Sequence, residues 1–215
     1  MILSQIAKIC NGRAINIQPI EITKILTDSR KLFVPQGTLF IAIRGARHDG
    51  SLFVSDLYAR GIRAFVCESD FDVAPYPEAS FVLVPDTTEA LQLIAGEHRR
   101  SMPSMVAAIT GSNGKTIVKE WLSQIIGGDK RTVRSPRSYN SQIGVPLSLW
   151  LIEPETELSI IEAGISMRGE MAKLEKTIAP NDVIITNIGD AHQENFSSIE
   201  EKLNEKIEEK LNVLF

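Results

Sequence analysis

The chain has 215 residues, 43% of them hydrophobic and 23% charged, enough for one large domain or for two of about 100 residues each, either with a buried core. A net charge of -4 and a pI near 5.5 exclude a general nucleic-acid binder, which carries a basic surplus, so any anion site must be local. No apolar run approaches the roughly 18 residues that cross a bilayer, which argues against membrane insertion.

The N-terminus carries no basic n-region and no cleavage-type small-residue pattern, and reads as mature sequence. Cys10 and Cys67, far apart and in apolar surroundings, make neither a disulfide framework nor a zinc cluster; they read as buried, reduced thiols of a cytoplasmic protein. Strands are expected at 22–28 and 38–44, separated by the turn residues Pro35-Gln36-Gly37. A helix at 51–61, a strand at 63–68 and a strand at 81–84 follow, and Asp86 or Thr87 caps a helix running to about residue 100. Ser101-Met102-Pro103-Ser104 is a plausible junction, which predicts domains at 1–102 and 103–215.

Beyond the junction the pattern alternates. Strands are expected at 106–109, 131–134, 158–161 and 182–186, and helices at 115–126, 142–151 and 169–178. Continuous apolar strands between amphipathic helices predict a parallel sheet covered on both faces. A last helix at 197–214 would bury Ile199, Leu203, Ile207 and Leu211 in one stripe. A nucleotide-binding sheet normally continues with further strands, so a chain ending at Phe215 reads as truncated. The predicted class is α/β: a small N-terminal α/β domain, then a partial parallel-sheet domain of the phosphate-loop type.

The segment Thr110-Gly111-Ser112-Asn113-Gly114-Lys115-Thr116, between a strand and a helix, is read as a cradle for the phosphates of ATP. Backbone N–H groups at the helix start face the anion, Lys115 supplies charge, and the Thr116 hydroxyl can ligate Mg²⁺. The strict phosphate-loop pattern has glycine where Ile109 stands, so this is a more compact turn. Glu162 ends a strong apolar strand, where α/β sheets place catalytic groups and where a carboxylate can hold magnesium; the alternative is a solvated strand-end acid. Asn140 and Gln142 follow a short strand and are expected to face nucleotide or substrate. His98, among Glu97, Arg99 and Arg100, reads as a surface residue.

Five blocks together resemble the Mur ligase family, which builds the peptide stem of the bacterial cell wall. The first runs from Thr27-Asp28-Ser29-Arg30 through Phe40-Ile41-Ala42-Ile43-Arg44-Gly45 to His48-Asp49-Gly50 and is similar to that family's uridine-nucleotide domain. The phosphate loop is the second, and Tyr139-Asn140-Ser141-Gln142-Ile143-Gly144-Val145-Pro146 the third. Glu162-Ala163-Gly164 with Gly169-Glu170-Met171 is the fourth, and Thr186-Asn187-Ile188-Gly189-Asp190-Ala191-His192 the fifth.

Within the family, the Gly-Glu-Met element favours the member that joins D-alanyl-D-alanine to UDP-MurNAc-tripeptide. The resemblance implies ATP and Mg²⁺ as cofactors, an acyl-phosphate route, and substrate contacts from Ser29, Arg30, Arg44 and His48, as well as Asn140 and Gln142. It makes Lys115, Glu162, His192 and Lys206 the catalytic set, with Thr116, Glu162, His192 and a carbamylated Lys206 at the metals. Read alone, His192 would be a capping or surface histidine. Lys206 would belong to a solvated row with Lys202 and Lys210, relieved by Glu205 and Glu209. The family often has asparagine where Ser141 stands, which leaves that contact open.

Segments 117–121 and 135–139 further resemble the ligase half of proteins fused to an alanine racemase, and an isolated piece of this length is expected to lack turnover. Three alternatives stay open: another ligase of the family, tripeptide-forming or folylpolyglutamate-type; an ordinary phosphate-loop NTPase or kinase; and a nucleotide-binding module without ligase activity.

Overall fold

The computed structural model describes residues 1–45, 48–164, 169–187 and 212–214. The chain divides into two compact units, Met1–Ile94 and Ala95–Phe215.

The first unit contains α1 (Leu3–Ile9), β1 (Arg13–Ile15), β2 (Lys24–Leu26), β3 (Thr38–Ile41), α2 (Val54–Ala59), β4 (Ala64–Glu68), β5 (Ser80–Val84) and the start of α3 (Thr87–Arg100). Its sheet has the order β1-β5-β4-β3-β2. The last four strands are parallel, and β1 closes one edge antiparallel to β5. Strands β3 and β5 are buried along their whole length, as the unbroken apolar runs require of a sheet covered on both faces. Phe65 stacks on Phe81 and meets Phe40 edge-on at the core. Asp86 caps α3, accepting the N–H groups of Thr88 and Glu89 at 2.7 and 3.0 Å.

The sequence pattern predicts no helix or strand at residues 1–16. The signal for α1 was present all the same: Leu3, Ile6, Ala7 and Cys10 recur at helical spacing, and all four are buried. Strand β1 carried no such signal, because it is three residues long and largely exposed.

The second unit holds β6 (Met105–Thr110), α4 (Lys115–Ile126), β7 (Thr132–Arg134), α5 (Gly144–Leu149), β8 (Leu158–Glu162), α6 (Glu170–Ile178), β9 (Asp182–Ile185) and β10 (Asn212–Leu214). All five strands run parallel in the order β10-β9-β6-β8-β7. Successive side chains of a strand face opposite sides, and the two cores follow from this. Ile109, Leu158 and Ile160 pack under Val118, Leu122 and Ile126 of α4. On the other face Val106, Ala108, Ile161 and Val183 pack with Leu149, Met171, Leu174 and Ile178. The chain leaves β6 for β7 and β8 on one side and then crosses to β9 on the other. The carboxyl end of β6 is therefore the switch point at which open α/β sheets bind ligands.

Two expectations need correction. Residues 212–214 pair with β9 as a strand instead of ending a helix; the unpaired edge of β9 offers them a ladder that spacing along the chain cannot reveal. The rest of the expected helix lies outside the described residues. His98 is half-buried and not a surface group: its ring lies 4.5 Å from that of Trp150, its Nε2 is 2.8 Å from the Ile152 carbonyl oxygen, and burial lowers its pKa.

Both cysteines are free and buried, as expected, and burial pushes each thiol up to about 12. An acid with a raised folded-state pKa loses stability once the unfolded chain ionises, so these thiols destabilise the fold as pH rises above the ordinary thiol range toward 12. Alkylation by iodoacetamide at pH 8, followed by intact mass, should leave both unmodified until denaturant is added; rapid labelling of native protein would contradict their burial.

Candidate functional site

Strand β6 ends at Thr110, and residues 110–116 turn the chain into α4. Two positions require glycine. Gly111 has φ +140° and a Cβ there would lie 2.1 Å from Thr186 Oγ1; Gly114, at φ +81°, caps the helix. The turn is pinned from the end of β9. The Ser112 N–H donates to the Asn187 carbonyl at 2.9 Å and the Asn113 N–H to Asn187 Oδ1 at 2.8 Å. Thr186 Oγ1 lies within hydrogen-bond reach of the Asn113 and Thr110 carbonyls. Thr110 Oγ1 is the one buried side-chain polar atom without a partner among the described residues. An unmatched donor at the loop's root suits a site that receives oxygen-rich groups.

Lys115 folds back on its own loop, donating to the Gly111 carbonyl at 2.9 Å and the Ser112 carbonyl at 3.4 Å. Burial lowers its pKa, and the charge of Glu162 opposes that shift. Thr116 Oγ1 donates to Glu162 Oε2 at 2.9 Å. Glu162 closes β8 and is 1% exposed. Its Oε1 accepts from Asn140 Nδ2 at 2.8 Å, and its backbone N–H donates to Ser135 Oγ at 3.0 Å. Gly164 stands where a Cβ would come within 3.0 Å of Asn140 Cγ, and its N–H donates to the Asn140 carbonyl at 2.8 Å. Gln142 Nε2 reaches the Glu170 carbonyl at 3.1 Å. The second and third sequence blocks thus converge on the fourth.

This donor set fits a magnesium ion. Thr116 and Glu162 present hard oxygens 2.9 Å apart, close to the edge of roughly 3 Å that an octahedron with ~2.1 Å bonds implies. The other two expected members, His192 and Lys206, lie outside the described residues. Among the described residues no three His, Cys, Asp or Glu groups cluster to hold a metal.

In the first unit, Asp28 caps a single 3-10 turn, Ser29–Lys31. Ser29 is buried, and its carbonyl accepts from Arg60. Arg30 is exposed and folds onto Asp28 through two bonds of 2.8 and 2.9 Å, holding that carboxyl at about 2. Arg44 is engaged by three carboxylates: Glu68, Asp70 at 3.1 Å and Asp49 at 3.5 Å. His48 is exposed, and its carbonyl accepts the Gly45 N–H at 2.8 Å. In this structure both arginines are tied to the unit's own acids.

Sequence reasoning missed the most deeply buried cation of the site. Lys119 is 0% exposed; its Nζ donates to the Ser135 carbonyl at 2.9 Å and to the Arg137 carbonyl, and lies 3.5 Å from Glu162 Oε2. The one available signal was its place a turn after Lys115 on the same helix face. Thr186 and Asn187 appeared only as members of a motif, without the anchoring role that they take here.

Residues 109–208 match the Mur ligase middle domain, and residues 21–99 match the Mur ligase family, catalytic domain. A UDP-N-acetylmuramoyl-tripeptide–D-alanyl-D-alanine ligase of Bacillus subtilis is 33% identical over 96% of this chain and 45% of its own length. A crystal structure of MurF from Acinetobacter baumannii superposes with a TM-score of 0.87 at 30% identity, covering 95% of this chain and 45% of that one. A MurF ligase from Thermotoga maritima, in complex with ADP, gives 0.77 at 26% identity, over 88% of this chain and 44% of that one. The chain thus spans a little under half the length of these relatives. The phosphate turn and the carboxylate facing it fall within the matched middle domain, and the chain belongs to the Mur ligase family.

Proposed function

We propose that the chain is the uridine-substrate and ATP-binding part of a cytoplasmic ligase that adds D-alanyl-D-alanine to UDP-MurNAc-tripeptide in peptidoglycan precursor synthesis. The observation that carries this reading is the phosphate turn at 110–116 facing the buried, oxygen-presenting Glu162. The names of the relatives supply the substrate class. Residues 1–102 are assigned to the uridine nucleotide, with Ser29, Arg30, Arg44 and His48 as contacts, and 103–215 to ATP. For Arg44 this requires giving up at least one of its present carboxylates.

In the proposed reaction a carboxylate oxygen of the tripeptide bonds to the γ-phosphorus of ATP as the β,γ-bridging bond breaks and ADP leaves. The dipeptide amine then bonds to the acyl carbon, phosphate departs and the nitrogen loses a proton. Lys115 turns from its loop carbonyls to the β- and γ-phosphates and offsets their charge. The loop amides orient the chain of phosphates, and Asn140 holds Glu162 in place. Magnesium held by Thr116 and Glu162, with His192 and a carbamylated Lys206, would neutralise the transferring phosphoryl group. The likeness to racemase-fused ligases extends the proposal to an alanine racemase domain in the whole protein.

A phosphate-release assay on the whole protein carrying this chain tests the reading. With ATP and Mg²⁺, sustained release should need both UDP-MurNAc-tripeptide and D-alanyl-D-alanine. Turnover that continues undiminished without the dipeptide would favour a simple NTPase.

A further inference from the structure

We propose that Lys119 is a positioning residue: its buried ammonium ties helix α4 to the 135–140 segment and sets Glu162 against Thr116. The proposal rests on the reading of Glu162 as a magnesium carboxylate.

An ammonium has three protons to place and loses much hydration when buried. Two go to the carbonyls of Ser135 and Arg137; the third direction faces Glu162 Oε2 at 3.5 Å and Glu120 Oε1 at 3.4 Å. Those carbonyls point at the helix because the chain turns sharply at Arg137, a non-glycine residue with φ +48°, a conformation that L-residues adopt at a cost. The side chain of Arg137 is exposed, so its backbone contact with Lys119 is what the turn has gained. Ser135 holds the Glu162 N–H through its hydroxyl, and the same segment leads to Asn140, which holds Oε1.

Three elements therefore meet at one nitrogen: the helix that opens with Lys115 and Thr116, the 135–140 segment, and the end of β8. Without the ammonium the two carbonyls lose their donor, the turn relaxes, and the Asn140 amide moves off the carboxylate. Glu162 then loses its fixed orientation toward Thr116. The phosphate turn itself is held by Thr186 and Asn187 and should be left alone.

The test is calorimetric titration of ADP into the chain with and without Mg²⁺. Lys119→Met should bind ADP without metal within about twofold of the parent, and the gain in affinity that Mg²⁺ brings should fall about 10- to 100-fold, as for other groups that orient a metal ligand. In a Glu162→Gln background, Lys119→Met should have no further effect on that gain, an interdependence that a merely structural lysine would not show. Glu120→Gln, which meets the ammonium and Arg134 but neither Thr116 nor Asn140, should leave the gain intact.

A full magnesium gain in Lys119→Met overturns the proposal, as does an equal loss in Glu120→Gln or additivity with Glu162→Gln. A Glu162→Gln protein with an unaltered magnesium gain would instead remove the underlying reading of Glu162. If Lys119→Met does not melt cooperatively, Lys119→Gln, which can still donate to one carbonyl, takes its place; retention of the full gain in that variant also overturns the proposal.

Discussion

Lys115→Ala should lower ADP affinity roughly 10- to 100-fold, the equivalent of one charge-assisted hydrogen-bond set worth about 1.5–3 kcal/mol. The loss should come with almost no change in the melting temperature. Among the described residues Lys115 Nζ bonds only the Gly111 and Ser112 carbonyls of its own loop, and the loop is pinned independently from Thr186 and Asn187. Burial already disfavours the charged amine, so its removal relieves a cost as well as a contact. Calorimetry paired with a thermal melt separates the two effects. Unaltered affinity in a folded variant would place the phosphates elsewhere.

Glu162→Ala should be strongly destabilising, by about 3 kcal/mol, the lower end of the cost of breaking a buried pair, because it leaves the buried Lys119 only the partly exposed Glu120 as counter-charge. Lys119 is 0% and Glu162 1% exposed, so water cannot replace the lost partner. The same truncation strips Thr116 Oγ1 and Asn140 Nδ2 of their acceptor. Glu162→Gln keeps an acceptor oxygen for one of these donors and should cost clearly less. Urea unfolding of both variants measures the gap, and near-parental stability for Glu162→Ala would show that the carboxylate and ammonium do not form a working pair.

Much of this architecture was legible in the sequence, because unbroken apolar runs such as those of β4 and β5 suit strands covered on both faces. The phosphate turn was equally plain, since Gly111 and Gly114 sit where the backbone adopts positive φ. What escaped depended on contacts made only in three dimensions. Lysine in an amphipathic helix reads as solvent-facing, and nothing near Lys119 in the chain announces that carbonyls 16 and 18 residues away will surround it. Residues 212–214 directly follow the four-residue apolar rhythm that ends at Leu211, and form a strand because β9 has an open edge. The engagement of Arg44 by Asp49, Glu68 and Asp70 was likewise invisible: its acidic partners lie on separate strands and turns.

The bonds from Asn187 to the amides of Ser112 and Asn113 carry a consequence for how a ligand is received. These bonds are made within the chain, so docking need not freeze a wandering loop and forfeits little entropy in doing so. The amides of the first turn of α4, which a helix cannot satisfy internally, remain as the gripping points. Recognition is thereby confined to a narrow arc at the helix mouth, which favours a linear string of phosphates over a bulky or branched anion.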